Sequence, residues 1–221
     1  MTAGFAMPDK RNALVNTALL GLLVLATIIS LATGTVQVSL FDTLRALAGN
    51  ADPITDFVIN ELRLSRVIAG LLSGAALAMA GCLMQTLARN RLATPGIIGI
   101  DNAATAFAVA SVVGVGLSLA PSAMALAGAA AATAIAFGLA GANGTRGYRF
   151  IVAGIGIGAI AGAVTQVMLS RVAIDAANAA YPWTVGSLNA RSGQSVLVLG
   201  MGLAAGYLIL MSLSRALNTL Q

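Results

Sequence analysis

The sequence contains 221 residues, of which 58% are hydrophobic and 9% charged, and its mean hydropathy is +0.92. Soluble domains carry about a quarter charged residues, so this chain has too few polar side chains to cover a surface in water. The composition therefore excludes a soluble globular domain, a disordered chain and a disulfide-stapled secreted module. The 25 glycines favour close helix contact, and an aromatic fraction of 5% is too low for an outer-membrane barrel. The sequence thus predicts a polytopic, all-α transmembrane protein.

The 12 basic and seven acidic residues indicate which loops share a side of the membrane. By the positive-inside rule, the basic residues that flank the apolar runs belong on the cytoplasmic face, with the N-terminus inside. These residues are Lys10, Arg11, Arg89, Arg91, Arg146, Arg149 and Arg215. Because basic residues occur on both faces and form no stripe, nucleic acid is excluded as a partner. With no histidine and one cysteine, Cys82, the sequence predicts neither a metal site nor a disulfide.

A membrane span needs about 20 apolar residues, and six such segments follow one another along the chain. They lie near 13–33, 67–87, 97–117, 121–142, 150–170 and 196–213, within a single transmembrane permease domain, 1–221. The first segment is uncharged over too long a stretch to be a secretory signal peptide, so it is predicted to be retained. A short amphipathic helix is predicted near 39–49 on the outer interface, because its leucines share one face and Ser39 forms a capping box with Asp42.

Two spans carry small residues at every fourth position. The second span has Gly70, Gly74 and Ala78, and the fifth has Gly154, Gly158 and Gly162. Ladders of this kind form a flat seam along which helices approach closely. Two interpretations remain open from the sequence, namely packing within the chain and a seam that lines a subunit interface or the transport pathway.

Three short motifs stand at the ends of spans. The first is Arg63-Leu64-Ser65-Arg66, the second runs from Asn90 through Leu92, Ala93 and Pro95 to Gly99, and the third is Trp183-Thr184-Val185-Gly186-Ser187-Leu188. Arg63 and Arg66 share one face of a helix at the outer boundary, where they either meet a partner or only anchor the span. Asn90 tolerates the left-handed conformation that ends a helix, and Pro95 can open the next one. The third motif predicts a turn into the sixth span.

In this order and spacing, the motifs resemble those of the FecCD family, the permeases of type II ABC importers for iron–siderophore complexes, haem and cobalamin. The resemblance covers nearly all of the chain and implies the N-terminal part of a ten-span permease fold. It implies that Arg63 and Arg66 dock acidic residues of a substrate-binding protein through charge-assisted pairs. It also implies that the glycine ladder of the fifth span faces the pathway between two subunits. The Asn90–Gly99 motif would be an architectural element near the cytoplasmic side.

The chain departs from the family pattern in three respects. Ser65 and Arg91 stand where the family usually has proline, which removes a rigid helix start and adds a charge to the inner loop. The resemblance further implies a loop of coupling helices and four more spans after the sixth, and the 221 residues contain neither. A truncated reading frame, a split permease completed by another polypeptide and a reduced subunit are all compatible with this sequence.

The predicted function is that of a permease subunit that moves an iron complex, with siderophore as the default cargo, across the cytoplasmic membrane. The chain is expected to bind no cofactor and to do no catalysis, because it has no phosphate-binding loop and ATP is used by a partner. The resemblance implies as partners a second permease subunit, a cytoplasmic ATPase dimer and an extracytoplasmic substrate-binding protein, all at a lipid membrane. The alternatives are a non-functional or split fragment and an ion-coupled secondary carrier. The carrier is disfavoured because, apart from Asp101 near a helix start, no span carries a charge.

Overall fold

The computed structural model describes residues 10–115, 119–141, 148–189 and 192–218, and every regular element within these ranges is a helix. The all-α class predicted from the sequence is therefore confirmed. The chain divides into two compact units. The first comprises Met1–Ser73 and Leu188–Gly202, and the second comprises Gly74–Ser187 and Leu203–Gln221.

Ten α-helices, one π-helical segment and one 3₁₀ helix make up the described part of the chain. In order they are α1 (Lys10–Ala32), α2 (Leu40–Leu47), α3 (Pro53–Asp56), the π-helical segment (Phe57–Leu64), α4 (Ser65–Ala88), the 3₁₀ helix (Pro95–Ile98), α5 (Ile100–Val112), α6 (Pro121–Ala140), α7 (Tyr148–Arg171), α8 (Ile174–Ala180), α9 (Pro182–Val185) and α10 (Gly193–Asn218).

Five helical stretches among the described residues are long and apolar enough to cross a membrane. They are Lys10–Ala32, Pro53–Ala88, Pro121–Ala140, Arg149–Arg171 and Gly193–Ser214, and each overlaps one of the six predicted spans, although Pro53–Ala88 begins 14 residues before the span predicted near 67–87. Most of their large apolar side chains are exposed, and in α1 Leu31 is the one residue that the protein buries. A helix that is apolar on every side and largely uncovered by protein is suited to contact with lipid.

The span predicted near 97–117 is a shorter helix, α5, of 13 residues. At a rise of 1.5 Å per residue it is about 20 Å long, less than the hydrocarbon core of about 30 Å. Two glycines limit it, because Gly99 has φ +68° where α5 begins and Gly114 has φ +77° just beyond its end. Hydropathy does not depend on such backbone turns, so the predicted span is longer than the helix in the structure. Residues 116–118 of the predicted span lie outside the described residues.

Side-chain caps order the connection between α1 and α4 in the first unit. Ser39 Oγ accepts the Asp42 N–H at 3.0 Å, which is the N-cap half of a capping box, and the Asp42 carboxylate accepts from the Ser39 hydroxyl at 2.7 Å instead of from the Ser39 backbone N–H. Asp52 accepts the Thr55 N–H at 3.0 Å, which starts α3 and lowers the pKa of Asp52. Because the folded-state pKa is depressed, this cap is intact at neutral pH and is lost as the pH falls through that lowered pKa.

The core of the second unit lies where α4, α6 and α7 meet the 3₁₀ helix. Its buried residues are Met84, Ile98, Ala136, Ala140 and Phe150. The ring of Phe150 lies 5.3 Å from that of Phe137, in a tilted arrangement that aromatic pairs favour. This core holds the 3₁₀ helix against α7 and so positions the loop that follows α4.

Candidate functional site

Arg63, near the end of the π-helical segment, is bound within the first unit. Its Nη1 donates to the carbonyl oxygens of Leu31 at 2.7 Å and Ala32 at 3.0 Å, and its Nη2 donates to that of Val36. The last carbonyls of a helix have no partner in the helix and carry the negative end of its dipole. Arg63 therefore caps the C-terminus of α1 from a distant point in the sequence.

Gly34 makes room for this cap. A Cβ at position 34 would lie 2.7 Å from Nη2 of Arg63 and 2.9 Å from its Cζ. The sequence contains the glycine just after an apolar run, where a helix is expected to end. It does not reveal which side chain fills the space, because Arg63 reaches Gly34 only after α1 and the π-helical segment have come together.

Arg66 has different surroundings from Arg63. It is exposed, and no hydrogen bond or ion pair with another described residue engages its guanidinium group. It borders a groove of about 250 Å³ between α1 and α4, whose lining includes Thr27, Ser30 and Gly70. The two arginines that the sequence predicts to act together therefore differ: Arg63 is bound by carbonyls of the first unit, and the guanidinium group of Arg66 is exposed with no such partner among the described residues.

The loop that follows α4, in the second unit, is held by its own hydrogen bonds. The Asn90 side-chain oxygen accepts the Leu92 N–H at 2.9 Å, and the Asn90 carbonyl accepts the Ala93 N–H at 3.1 Å. Arg89, at φ +48°, takes the left-handed conformation after α4, which Asn90 would tolerate but does not adopt. The reason is that Asn90 uses its amide oxygen in an Asx turn instead. Pro95 begins the 3₁₀ helix, as its position predicts.

The end of this loop contacts the glycine ladder of α7. A Cβ at Gly154 would overlap the Ile97 carbonyl oxygen and lie 2.6 Å from the Cα of Ile98. A Cβ at Gly99 would lie 2.5 Å from the backbone nitrogen of Gly158 and 2.8 Å from its Cα. Backbone meets backbone here, which only residues without a side chain permit. Two features that the sequence presents separately, the loop motif and the ladder, thus form one contact within the second unit.

Asn102 reinforces this contact and is a residue that the sequence analysis missed. Its Nδ2 donates to the carbonyl oxygen of Gly158 at 3.1 Å, and a Cβ at Gly162 would lie 3.9 Å from the same nitrogen. Asp101, beside it, accepts the Asn102 backbone N–H at 3.0 Å. In the sequence, Asn102 stands out only as an amide side chain in an apolar helix, three residues after Gly99. Its acceptor, the Gly158 carbonyl oxygen, can be identified only from the tertiary structure.

Replacing Asn102 by alanine is expected to lower the free energy of unfolding by about 1 kcal/mol, the usual net value of one neutral hydrogen bond. The check is the midpoint of thermal unfolding in detergent, which should fall by about 2–4 °C. Asn178→Ala is the control, because Asn178 is an exposed asparagine of α8 in the same unit. Equal midpoints for the two variants would contradict the assigned role of Asn102.

The small residues of α4 have looser surroundings than those of α7. A Cβ at Gly70 would lie 3.3 Å from Cδ1 of Leu188, which the neighbouring side chain can accommodate by a small shift. At Gly74 no described atom lies within 4 Å of the corresponding position. The same four-residue spacing therefore accompanies a backbone contact in α7 and an open surface at Gly74.

The Trp183 motif forms a turn after α9. Trp183 is half-buried in α9, and Gly186, at φ +81°, donates its N–H to the Pro182 carbonyl at 2.9 Å. Both Trp183 and Ser187 have partners within the chain. The residue that follows, Leu188, packs on Gly70 in the first unit, as described above.

None of these places brings together the groups that hold a metal or a cofactor. No cluster of three or more His, Cys, Asp or Glu side chains occurs in the described ranges. Cys82 is a free, exposed thiol on α4. The described residues offer an exposed guanidinium group at Arg66 and close backbone packing at the ladder of α7.

Comparison with known proteins gives consistent matches over most of the chain. Residues 22–221 match the FecCD transport family. The chain is 34% identical over 197 residues to the achromobactin transport system permease protein CbrC of Dickeya dadantii, covering 86% of this chain and 56% of that protein. It is 32% identical over 207 residues to the ferric enterobactin transport system permease protein FepG of Escherichia coli, covering 91% of this chain and 63% of that protein.

A solved structure also shares the fold. A metal-chelate type ABC transporter in an inward-facing conformation superposes with a TM-score of 0.76 at 23% identity, over 94% of this chain and 64% of that chain. The chain thus spans less than two thirds of the length of each of these relatives. On the match that covers residues 22–221, the chain belongs to the FecCD transport family.

Proposed function

We propose that this chain is a permease subunit of an ABC importer that moves an iron chelate across the cytoplasmic membrane, with an iron–siderophore complex as the cargo. The observation that carries the proposal is the family match over residues 22–221, together with the names of similar permeases. These relatives are described as transporting achromobactin, ferric enterobactin and, at 30% identity in Bacillus subtilis, Fe(3+)-citrate. All three names denote an iron chelator or its complex.

The chain would contribute helices to a pathway and not chemistry of its own. A FecCD permease is a transport component without an ATPase domain, so ATP hydrolysis belongs to a separate cytoplasmic subunit. The complete importer would contain a second permease subunit, an ATPase dimer and an extracytoplasmic substrate-binding protein. Alternating access then comes from rearrangement of helices and subunits.

The charges of the described residues support an orientation for the chain. Lys10 and Arg11 stand at the start of α1, Arg89 and Arg91 follow α4, and Arg149 lies at the start of α7. With these residues inside, the start of α4 and the end of α7 lie outside. In this orientation Arg66 lies near the outer surface, where a binding protein would arrive.

We assign docking of that binding protein to Arg66 rather than to the pair of arginines. The guanidinium group of Arg63 is held by three carbonyls of the first unit, whereas Arg66 is exposed. A carboxylate of the partner could pair with Arg66 without breaking a hydrogen bond or ion pair to any described residue. Arg63 would act as a positioning residue, since it fixes α1 beside Arg66.

The experiment has two levels. At the first, cells that lack the chain are expected to lose uptake of radioactive iron presented as a siderophore complex, and the wild-type gene is expected to restore it. Unchanged uptake of every iron chelate tested in the deletion strain would contradict the proposed function as a whole.

At the second level, Arg66→Glu is expected to weaken binding of the substrate-binding protein to the reconstituted transporter by about tenfold, because charge reversal at an exposed contact costs roughly 1.4 kcal/mol. Arg171→Glu is the matched control, because Arg171 is an exposed arginine at the end of α7 that is also expected outside. If the two variants bind equally well while transport still requires the chain, the docking assignment fails and the permease proposal stands.

A further inference from the structure

The short helix α2 has two opposite faces, and its large apolar side chains point away from the protein. Thr43 and Ala46 are buried, at 1% and 0% exposure. The opposite face, which we name the α2 face, consists of Leu40, Phe41, Leu44 and Leu47, each between 44% and 64% exposed. Helix α2 therefore packs through its small residues and leaves its leucines and phenylalanine uncovered.

Hydrogen bonds fix this orientation. Asn60, in the π-helical segment, donates from Nδ2 to the carbonyl oxygen of Ala46 at 3.0 Å and to the Asp56 carboxylate at 2.8 Å. The Thr43 hydroxyl donates to the Ser39 carbonyl at 2.9 Å. The Asn60–Ala46 bond joins α2 to the π-helical segment and opposes a rotation that would turn the leucines inward, whereas the bonds of Thr43 and Ser39 lie within the start of α2. The α2 face is therefore exposed because α2 is held in this orientation by its contact with the π-helical segment.

The position of α2 in the chain confines it to a membrane surface. It lies between two membrane-spanning stretches, since α1 ends at Ala32 and the next stretch begins at Pro53. The eight Cα-to-Cα steps from Ala32 to Leu40 can reach at most about 28 Å when fully extended. Arg63 shortens this reach, because it binds the carbonyls of both Ala32 and Val36. Helix α2 must therefore stay close to the level at which α1 leaves the hydrocarbon.

We propose that α2 lies in the plane of the membrane surface and that the occupant of the α2 face is phospholipid, with its apolar side chains at the boundary between headgroups and acyl chains. The pattern of one apolar face and one polar or packed face on a helix beside a span is that of an interfacial helix. Arg45 fits the same arrangement, because its guanidinium group lies 4.7 Å from the Phe41 ring centroid and extends from the apolar face toward headgroup level.

Lipid is favoured over a protein partner by the neighbouring surface. Helix α1, which packs against α2, exposes large apolar side chains along its length, among them Leu22, Leu25 and Ile29. An apolar surface suited to contact with acyl chains thus adjoins α2 in the first unit. The proposal concerns the attachment of α2 to the membrane and does not depend on transport or on the cargo.

The test uses the full chain in vesicles of phosphatidylethanolamine and phosphatidylglycerol. Cys82→Ala removes the one native thiol, and a nitroxide is then attached to Leu44→Cys or, in separate proteins, to Leu40→Cys or Leu47→Cys. Collision rates with oxygen, which concentrates in lipid, and with a water-soluble nickel chelate are measured by electron paramagnetic resonance. Asn50→Cys is the control, because Asn50 is exposed just after α2.

We expect the three labels on the α2 face to collide several-fold more with oxygen than with nickel, relative to the control label. Three positions are used so that poor folding of one variant leaves two others to decide. A label at Leu44 that collides mainly with nickel would overturn the proposal in favour of a water-exposed face. An immobile label shielded from both reagents would overturn it in favour of a protein partner or a second copy of the chain.

Discussion

Replacement of Arg63 by glutamine is expected to lower the free energy of unfolding by about 2–3 kcal/mol, because hydrogen bonds from a charged donor are worth roughly 1.5–3 kcal/mol and glutamine cannot bridge three carbonyls. Leu31, Ala32 and Val36 would all lose the donor that now satisfies them. The thermal midpoint of the purified protein should then fall by about 5–10 °C. Helix α1 should become more accessible to protease and to amide exchange near its C-terminus.

A second substitution separates this role from a general need for charge. Arg66→Gln removes an arginine three residues away that makes no hydrogen bond with a described residue, so its thermal midpoint should stay close to that of the wild type. Arg63→Lys should be intermediate, since an ammonium group keeps the charge but lacks the planar fork of the guanidinium. If Arg63→Gln and Arg66→Gln shift the midpoint equally, the capping role of Arg63 is refuted.

Replacement of Gly154 by alanine is expected to be as severe, at about 3 kcal/mol, which is the upper end of the usual cost of overpacking. The added methyl group would overlap the Ile97 carbonyl oxygen and approach the Ile98 Cα. Side chains can rotate out of such a contact, but a backbone cannot. Helix α7 and the 3₁₀ helix would therefore have to separate, and the midpoint of thermal unfolding in detergent should fall accordingly.

The same helix supplies a matched control. Gly156 also lies in α7, and no described atom lies within 4 Å of a Cβ built there. Gly156→Ala should be neutral or should stabilise by up to about 1 kcal/mol, because alanine favours the helix over glycine. Gly99→Ala should resemble Gly154→Ala, since Gly99 has φ +68° and contacts the Gly158 backbone. A harmless Gly154→Ala would mean that this close approach does not hold the second unit together.

Local spacing was sufficient to predict the features that depend on neighbouring residues. The cap that Ser39 provides for the Asp42 N–H is an example, because a backbone N–H three residues later is within reach of a side chain at a helix start. The apolar runs likewise located five helices of membrane-spanning length, since burial in lipid depends on composition and not on a partner helix. The family could be recognised because its motifs lie at the ends of these helices.

Features that depend on tertiary contacts could not be read from the chain. The spacing of Arg63 and Arg66 predicts a shared face, but the engagement of Arg63 by α1 depends on a contact with residues about 30 positions earlier. The two ladders have the same spacing, yet Gly154 meets backbone and Gly74 meets open space. Asn102 finds its acceptor 56 residues away, at Gly158. In each case the sequence does not show which element of the fold packs against the residue.

The cap on α1 also bears on the order of events during synthesis. Ala32 precedes the arginine that satisfies its carbonyl by 31 residues. At translation rates of about 5–20 residues per second, that interval is roughly 2–6 s. The last residues of helix α1 are therefore synthesised before their terminal hydrogen-bond donor exists. The contact that Arg63 makes with the end of α1 thus forms only after the chain has been extended as far as the π-helical segment.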